Sequence, residues 1–451
     1  MTTTYDLLVY GQNVLTENGL GPAQVAVKDG RIAAIEALVD GDPTLGTDAA
    51  TVRRLGDDEV LIPGLVDTHV HINEPGRTPW EGFDTATKAA AAGGFTTLID
   101  MPLNSVPSTV DMDALELKTG IAQEKSFVDV GFWGGAVPDN ADQLAPLHQA
   151  GVFGFKSFMV NSGVEEFQHL NTEQLKQAMA DIPELDGMII LHAEDPDTID
   201  AAPEPDGRSY AAYLASRPQE AELAAIDTVL DGARSTGVKT HLLHLAAGDA
   251  VAKLAAAKAE GLPLTVETCP HYLVLKAEDI PDGATAYKCA PPIREGAVQE
   301  QLWDGLKDGT IDAIVSDHSP STLDLKDLEG GDFGAAWGGI ASLQLGLSLI
   351  WTEAKKRGFS IADVVRWMGT NPAEIVGLQR KGKLAVGYDA DLVVFAPEET
   401  FVVDAEKLHH KNPVTPYQDQ ELSGVVHTTY VRGAEVDFQT PKGAILTKGN
   451  N

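Results

Sequence analysis

From about residue 60 the chain alternates short apolar runs rich in Val, Ile and Phe with Ala-rich or charged stretches of helical character. No other feature constrains the fold as much. The strand candidates are residues 65–70, 96–101, 127–133, 152–158, 188–192, 240–245, 264–268 and 312–316. Helix candidates between them include 86–92, 112–124, 172–180, 219–235, 250–260 and 297–306. Continuously apolar strands that alternate with helices imply a parallel sheet buried on both faces. Eight such units predict an α/β fold, a (β/α)8 TIM barrel of ~250 residues or more.

The flanks read differently. Residues 5–62 hold short strand-like runs (5–9, 24–28, 31–37) between Gly, Asp and Asn turns, and the tail resumes that style at 383–395, 425–432 and 433–436. Neither flank has helical periodicity. Chain ends commonly lie close together, so the two flanks are expected to pair into one small β domain. The expected division is 1–62 plus 385–451 for that domain and 63–384 for the barrel.

Composition excludes several classes. Of 451 residues, 43% are hydrophobic and 22% charged, an ordinary globular balance. No apolar run approaches the ~20 residues that span a bilayer, and the first residues lack the basic and apolar regions of a signal peptide. Two cysteines make no disulfide framework, so a cytoplasmic location is expected. The formal charge of −34 repels nucleic acid and anionic lipid, so neither is an expected partner.

Chemistry concentrates at the strand ends. The first barrel strand closes with Val66-Asp67-Thr68-His69-Val70-His71. Side chains two apart on a strand share a face, so both imidazoles can reach one metal. The C-terminal end of a barrel strand is where active sites lie. The fifth strand ends in His192-Ala193-Glu194, the sixth in His241-Leu242-Leu243-His244, and the eighth in Ser316-Asp317-His318. Each histidine alone is ordinary. Together they converge on one barrel mouth and predict a metal site.

Lys156 sits inside the apolar fourth strand, Val152-Phe153-Gly154-Phe155-Lys156-Ser157. An ammonium has no lone pair for a cation. Burial and nearby positive charge lower its pKa, and the neutral amine can then capture carbon dioxide as a carbamate. The two carbamate oxygens suffice to bridge two metals ~3.5–4 Å apart. An ion pair with a barrel carboxylate is the other use of such a lysine. Cys269 and His271 offer two ligand atoms, too few for a further metal, and a structural role is expected for them and for Cys289.

The set His69, His71, Lys156, His192, His244 and Asp317 resembles the binuclear amidohydrolase superfamily, and more narrowly its cyclic-amide hydrolases: allantoinases, hydantoinases, dihydropyrimidinases and dihydroorotases. The resemblance covers nearly the whole chain. It includes Ile62-Pro63-Gly64-Leu65-Val66-Asp67, Glu267-Thr268-Cys269-Pro270-His271-Tyr272, Ala290-Pro291-Pro292-Ile293-Arg294 and Gly387-Tyr388-Asp389-Ala390-Asp391-Leu392. It implies a (β/α)8 barrel with a β-sandwich assembled from both termini, two divalent metal ions and a carbamylated lysine. By that resemblance His69, His71 and Asp317 hold one metal, His192 and His244 the other, and Lys156 bridges them. His241 is the weaker alternative to His244. Zinc suits these ligands, as do manganese, cobalt and iron. The family also implies a homo-oligomer, tetramer or dimer.

Dihydroorotases resemble the chain up to His71 and then typically carry an arginine two positions on. Asn73 stands there, and an amide does not replace the guanidinium fork on a carboxylate. The run Asn73-Glu74-Pro75-Gly76-Arg77-Thr78-Pro79-Trp80-Glu81-Gly82-Phe83, with Asp100-Met101-Pro102-Leu103-Asn104-Ser105 and Trp337-Gly338-Gly339-Ile340, resembles the allantoinase branch. That branch implies a small cyclic ureide substrate whose hydantoin ring amide is opened by hydrolysis, with Asp317 as the proton carrier. Asn73, Asn104, Ala290 and Gly338 are the expected substrate contacts. Hydantoinase or dihydropyrimidinase activity is the alternative. A dihydroorotase is less favoured, and a non-catalytic scaffold least, because all six ligand types are present.

Overall fold

Turn chemistry sets the N-terminal strands. In the computed structural model, which describes residues 5–39, 41–45, 49–205 and 207–449, β1 (Leu7–Thr16), β2 (Gly19–Lys28) and β3 (Arg31–Ala37) form an antiparallel meander. Asp29 and Gly30 both have positive φ, 50° and 75°, as the two-residue turn between β2 and β3 requires. β4 (Thr51–Arg54) and β5 (Val60–Pro63) then pair parallel with β1.

The barrel follows directly. Its eight staves begin with β6 (Leu65–Val70), β7 (Phe95–Asp100) and β8 (Asp129–Phe132), the last continued by β9 (Gly134–Gly135). Next come β10 (Phe155–Phe158), β11 (Met188–His192), β12 (Lys239–Leu242), β13 (Leu264–Thr268) and β14 (Ala313–Ile314). All neighbours run parallel. A Val70–His318 bridge closes the ring, and Asp67 reinforces it by accepting the backbone N–H groups of His69 and Ser316 at 3.0 Å each. Trp133 plugs the interior, its indole donating to the Thr68 carbonyl at 2.8 Å.

Strand alternation sorts the core into two layers. Leu98, Val130, Phe155, Ile189 and Leu191 pack outward with helix residues such as Phe83, Leu115 and Ile226. Val66, Ile99, Trp133 and Ile190 form a second cluster inside the ring. Lys156 and His192 follow outward-facing Phe155 and Leu191, so the period of two turns both inward.

The last strands, β15 (Leu392–Val402), β16 (Glu421–Val431) and β17 (Ala434–Glu435), return to the N-terminal sheet. β15 pairs antiparallel with β5, setting Val393 opposite Ile62, and the sheet order becomes β17-β16-β15-β5-β1-β2-β3 with β4 beside β1. The fold is therefore a TIM barrel with a β-sandwich built from both chain ends. The joint is ionic. Lys381 is buried with its Nζ 2.7 Å from both Asp129 and Asp391 and 3.1 Å from Asp389, and Arg432 also meets Asp129. Beyond the sandwich, residues 443–446 run beside β8, where Val130 exchanges backbone hydrogen bonds with Ala444 and Leu446. No helix among the described residues is long and apolar enough to cross a membrane.

Several strands stop earlier than their apolar runs suggest. β12 ends at Leu242 rather than 245, and β14 at Ile314 rather than 316. His244 and Asp317, just beyond, have φ of 35° and 43°. Left-handed backbone is uncommon outside glycine, although Asp and His enter it more readily than most residues, and it ends a strand.

Candidate active site

One cavity of ≈590 Å³ at the C-terminal rim of the barrel is lined by His69, His71, Lys156, His192, His244 and Asp317. These six residues come from five strand ends or the turns just after them, His69 and His71 both from β6. The two left-handed residues, His244 and Asp317, both face this cavity. Strained backbone of that kind costs about 1–3 kcal/mol, held here by the surrounding barrel.

Two carboxylates orient the histidines. Glu267, at the end of β13, accepts from His69 Nδ1 at 2.5 Å and from His241 Nε2 at 2.9 Å. His69 therefore presents Nε2 to the cavity. The other nitrogen of His241 meets Thr265 Oγ1 at 2.8 Å, so His241 is committed and His244 is the histidine of the pair that faces the cavity. Glu194 meets His192 Nε2 at 2.6 Å and is itself held by Arg217, which leaves His192 Nδ1 facing His244 Nε2 at 3.0 Å. A ligand histidine fixed by a carboxylate on its far nitrogen is the usual support for a metal site.

The electrostatics match that use at every group but His69, where burial is overcome by the charges of Asp317 and Glu267 and the pKa rises to about 8, so that ring would give up a proton to hold a cation. Burial pulls the Lys156 ammonium down to about 8, so a neutral amine is accessible near neutral pH. Burial holds His71 down at about 3 and His192 and His244 below their ordinary value, leaving neutral imidazoles with lone pairs. Burial opposes ionisation of Asp317, but the charge and close approach of His69 and of His71 together outweigh it and hold the carboxyl well below its usual range.

The donor set fits a metal cation. His69 Nε2 and His71 Nε2 lie 3.1 and 3.3 Å from Asp317 Oδ1. His69 Nε2 and His244 Nδ1 are buried and have no hydrogen-bond partner among the described residues. His69, His71 and Asp317 offer ligand atoms that all lie within 4.8 Å of one another. Idle buried donors gathered around a carboxylate are what a cation between them would satisfy.

The expected substrate contacts separate. Asn104, Ala290 and Gly338 line the cavity, and Asn104 Nδ2 lies 3.4 Å from His71 Nδ1. Asn73 does not line it; its amide donates to the Pro320 carbonyl at 3.3 Å. Sequence reasoning missed Arg217, Lys288 and Trp337 as wall residues, and missed Glu194 and Glu267 as orienting acids. Glu194 carries one readable signal, its place two residues after His192. Glu267 acts across 198 positions, and no local spacing announces that.

Comparison with known proteins agrees with this geometry. The profile of the amidohydrolase family matches residues 60–436. The chain belongs to the amidohydrolase family. Within it, the relatives are allantoinases. The allantoinase of Streptomyces avermitilis is 53% identical over 447 residues, covering 98% of this chain and 99% of that one. The allantoinase of Saccharomyces cerevisiae is 46% identical, covering 83% and 82%. Among solved structures, an L-hydantoinase (dihydropyrimidinase) from Arthrobacter aurescens superposes with a TM-score of 0.89 at 30% identity, covering 98% of each chain. The chain is a cyclic-amide hydrolase of the allantoinase branch.

Proposed function

We propose that this chain hydrolyses the hydantoin ring amide of allantoin to give allantoate, using two divalent cations held by the residues at the barrel rim. The single observation that carries the reading is the convergence of His69, His71, Lys156, His192, His244 and Asp317 on one cavity. His69, His71 and Asp317 would hold one cation, and His192 and His244 the other. The Lys156 amine would take up carbon dioxide as a carbamate and bridge them. When bound, such a pair lowers the pKa of water and polarises a carbonyl. Zinc suits the donors, as do manganese, cobalt and iron.

The chain's own residues do the rest. Asp317 accepts the proton of the attacking water and delivers it to the departing ring nitrogen. Glu267 and Arg217-supported Glu194 keep His69 and His192 in fixed orientations throughout. Asn104 offers an amide, and Ala290 and Gly338 offer backbone groups, to a neutral ring rich in amide donors and acceptors. Asn73 has a different part: its bond to Pro320 ties the loop after β6 to the loop after Asp317.

A small cyclic ureide is the only partner the cavity requires. A homo-oligomer, tetramer or dimer, is part of the same proposal. So is a cytoplasmic setting, which two free buried cysteines support. Turnover of allantoin, hydantoin and dihydrouracil by metal-reconstituted enzyme tests the reading. Allantoin should be the preferred substrate, and preference for either of the others would overturn it in favour of hydantoinase or dihydropyrimidinase activity.

A further inference from the structure

In sequence, Cys269 and His271 are two ligand-type residues lacking a third. The fold supplies it. β13 ends at Thr268, Cys269 stands at the head of the turn Pro270–Val274, and His271 lies in that turn. Their ligand atoms and a carboxylate oxygen of Asp317 all lie within 4.8 Å of one another. His271 is wholly buried, and neither ring nitrogen has a hydrogen-bond partner among the described residues. Its ring neighbour Tyr272 spends its hydroxyl on the Pro291 carbonyl. Cys269 is equally buried, and its thiol does not cap the turn. Asp317 approaches both His69 and His71 through Oδ1, so Oδ2 is not taken by either histidine. Buried polar groups are ordinarily satisfied, and an imidazole with both nitrogens idle beside a thiol and a carboxylate points to a missing ion.

We propose that Cys269, His271 and Asp317 form an accessory cation site that takes a borderline-soft divalent ion such as zinc or cadmium and inhibits turnover when filled. It shares only Asp317 with the rim centre, and it rests on the proposed function through that residue. The donors select the ion. A thiolate, an imidazole and a carboxylate with one solvent ligand complete a tetrahedron for zinc, whereas manganese and magnesium prefer oxygen. Binding is a proton exchange: the sulfur–metal bond forms as the S–H bond breaks, the proton passes to solvent, and no electrons are transferred. Asp317 lines the cavity, so the ion enters by the substrate's own mouth. The rim cation would use one Asp317 oxygen and leave the other to accept the proton; a further cation occupies that second oxygen, and inhibition follows.

The test uses the folded, metal-reconstituted enzyme dialysed against excess zinc, cadmium or manganese. Bound metal is counted by mass spectrometry, and the thiolate-to-cadmium charge-transfer absorption is recorded. Zinc and cadmium should each add one equivalent beyond the resident pair. Cadmium should raise the thiolate band, and turnover should fall in step with that extra equivalent. Manganese should do none of this. Cys269→Ser should abolish the band and the extra equivalent while keeping the resident pair and uninhibited turnover. His271→Gln should keep the thiol but remove a direct ligand, weakening uptake of the extra ion by more than the roughly 10–100-fold that loss of an outer-shell partner costs. A folded wild-type enzyme without the thiolate band overturns the inference, whatever the resident metal count. A band that survives in Cys269→Ser overturns it too, by placing the ion on Cys289. A resident count below two with the band present would instead overturn the reading of the rim centre.

Discussion

Lys156 is the residue on which the rim centre turns. It is buried, its Nζ lies 4.9 Å over the Phe158 ring, and burial holds it near 8. Lys156→Ala should lose nearly all activity and much of the bound metal, because it removes the group that would bridge the two cations. Short carboxylic acids should restore part of both, which activity and metal content measured with and without added acid will check. Full activity in the unsupplemented variant would refute the bridge. Glu194 acts one step further out. Glu194→Gln keeps the shape but weakens the hold on His192 and frees Arg217, so metal affinity or activity should fall by about 10–100-fold, read from metal titration beside steady-state rates. The histidines, Asp317 and Lys156 were legible because each closes or occupies an apolar strand, and strand ends share one rim. Their orienting acids were not, because Glu267 reaches His69 only after the barrel has closed.

At the scale of elements, what carried through from sequence was the alternation. β6, β11 and β13 occupy the very runs expected of them, and the β3 run does so in the flank. The strand ends did not carry through at β12 and β14, because the buried runs continue beyond Leu242 and Ile314, through His244 in one case and up to Asp317 in the other, where the backbone turns left-handed. Apolar patterning reports burial, and both sides of that turn are buried. The joint between barrel and sandwich was equally silent in sequence: Asp129, Lys381, Asp389, Asp391 and Arg432 meet across up to 303 positions. Lys381 is the only ammonium among those carboxylates. Lys381→Met should cost about 3–5 kcal/mol, since it strands buried carboxylates rather than merely losing a pair. Chemical denaturation at neutral pH will check this, and a loss below the range expected of an exposed pair would show that the cluster does not hold the joint.

At the scale of the whole molecule, charge and chain connectivity meet. A formal charge of −34 repels itself, and salt shortens the reach of that repulsion from about 30 Å at 0.01 M to about 10 Å at 0.1 M. The melting temperature should therefore rise over that range of ionic strength. Against this background one contact ties the chain ends with a titratable group. His427 on β16 meets Glu59, just before β5, through Nδ1 at 2.8 Å and Glu399 on β15 through Nε2 at 2.7 Å. The hydrogen bond that His427 donates to Glu59 raises its pKa above the ordinary 6.5; burial opposes this, and the bond donated to Glu399 and the charges of both acids leave the balance upward. A group whose pKa is raised on folding stabilises the fold fully below its unfolded value and loses that contribution as pH rises through the folded one. Stability should accordingly decline as pH climbs from about 6 through the raised value. His427→Gln keeps a side chain that can hydrogen bond but cannot titrate, so it should flatten that decline while leaving turnover of the rim site alone. Growing negative charge destabilises both proteins alike over this range, so the difference between their stability–pH curves isolates the histidine. Parallel curves would mean that His427 binds no extra proton on folding and that a neutral imidazole donates to only one of Glu59 and Glu399.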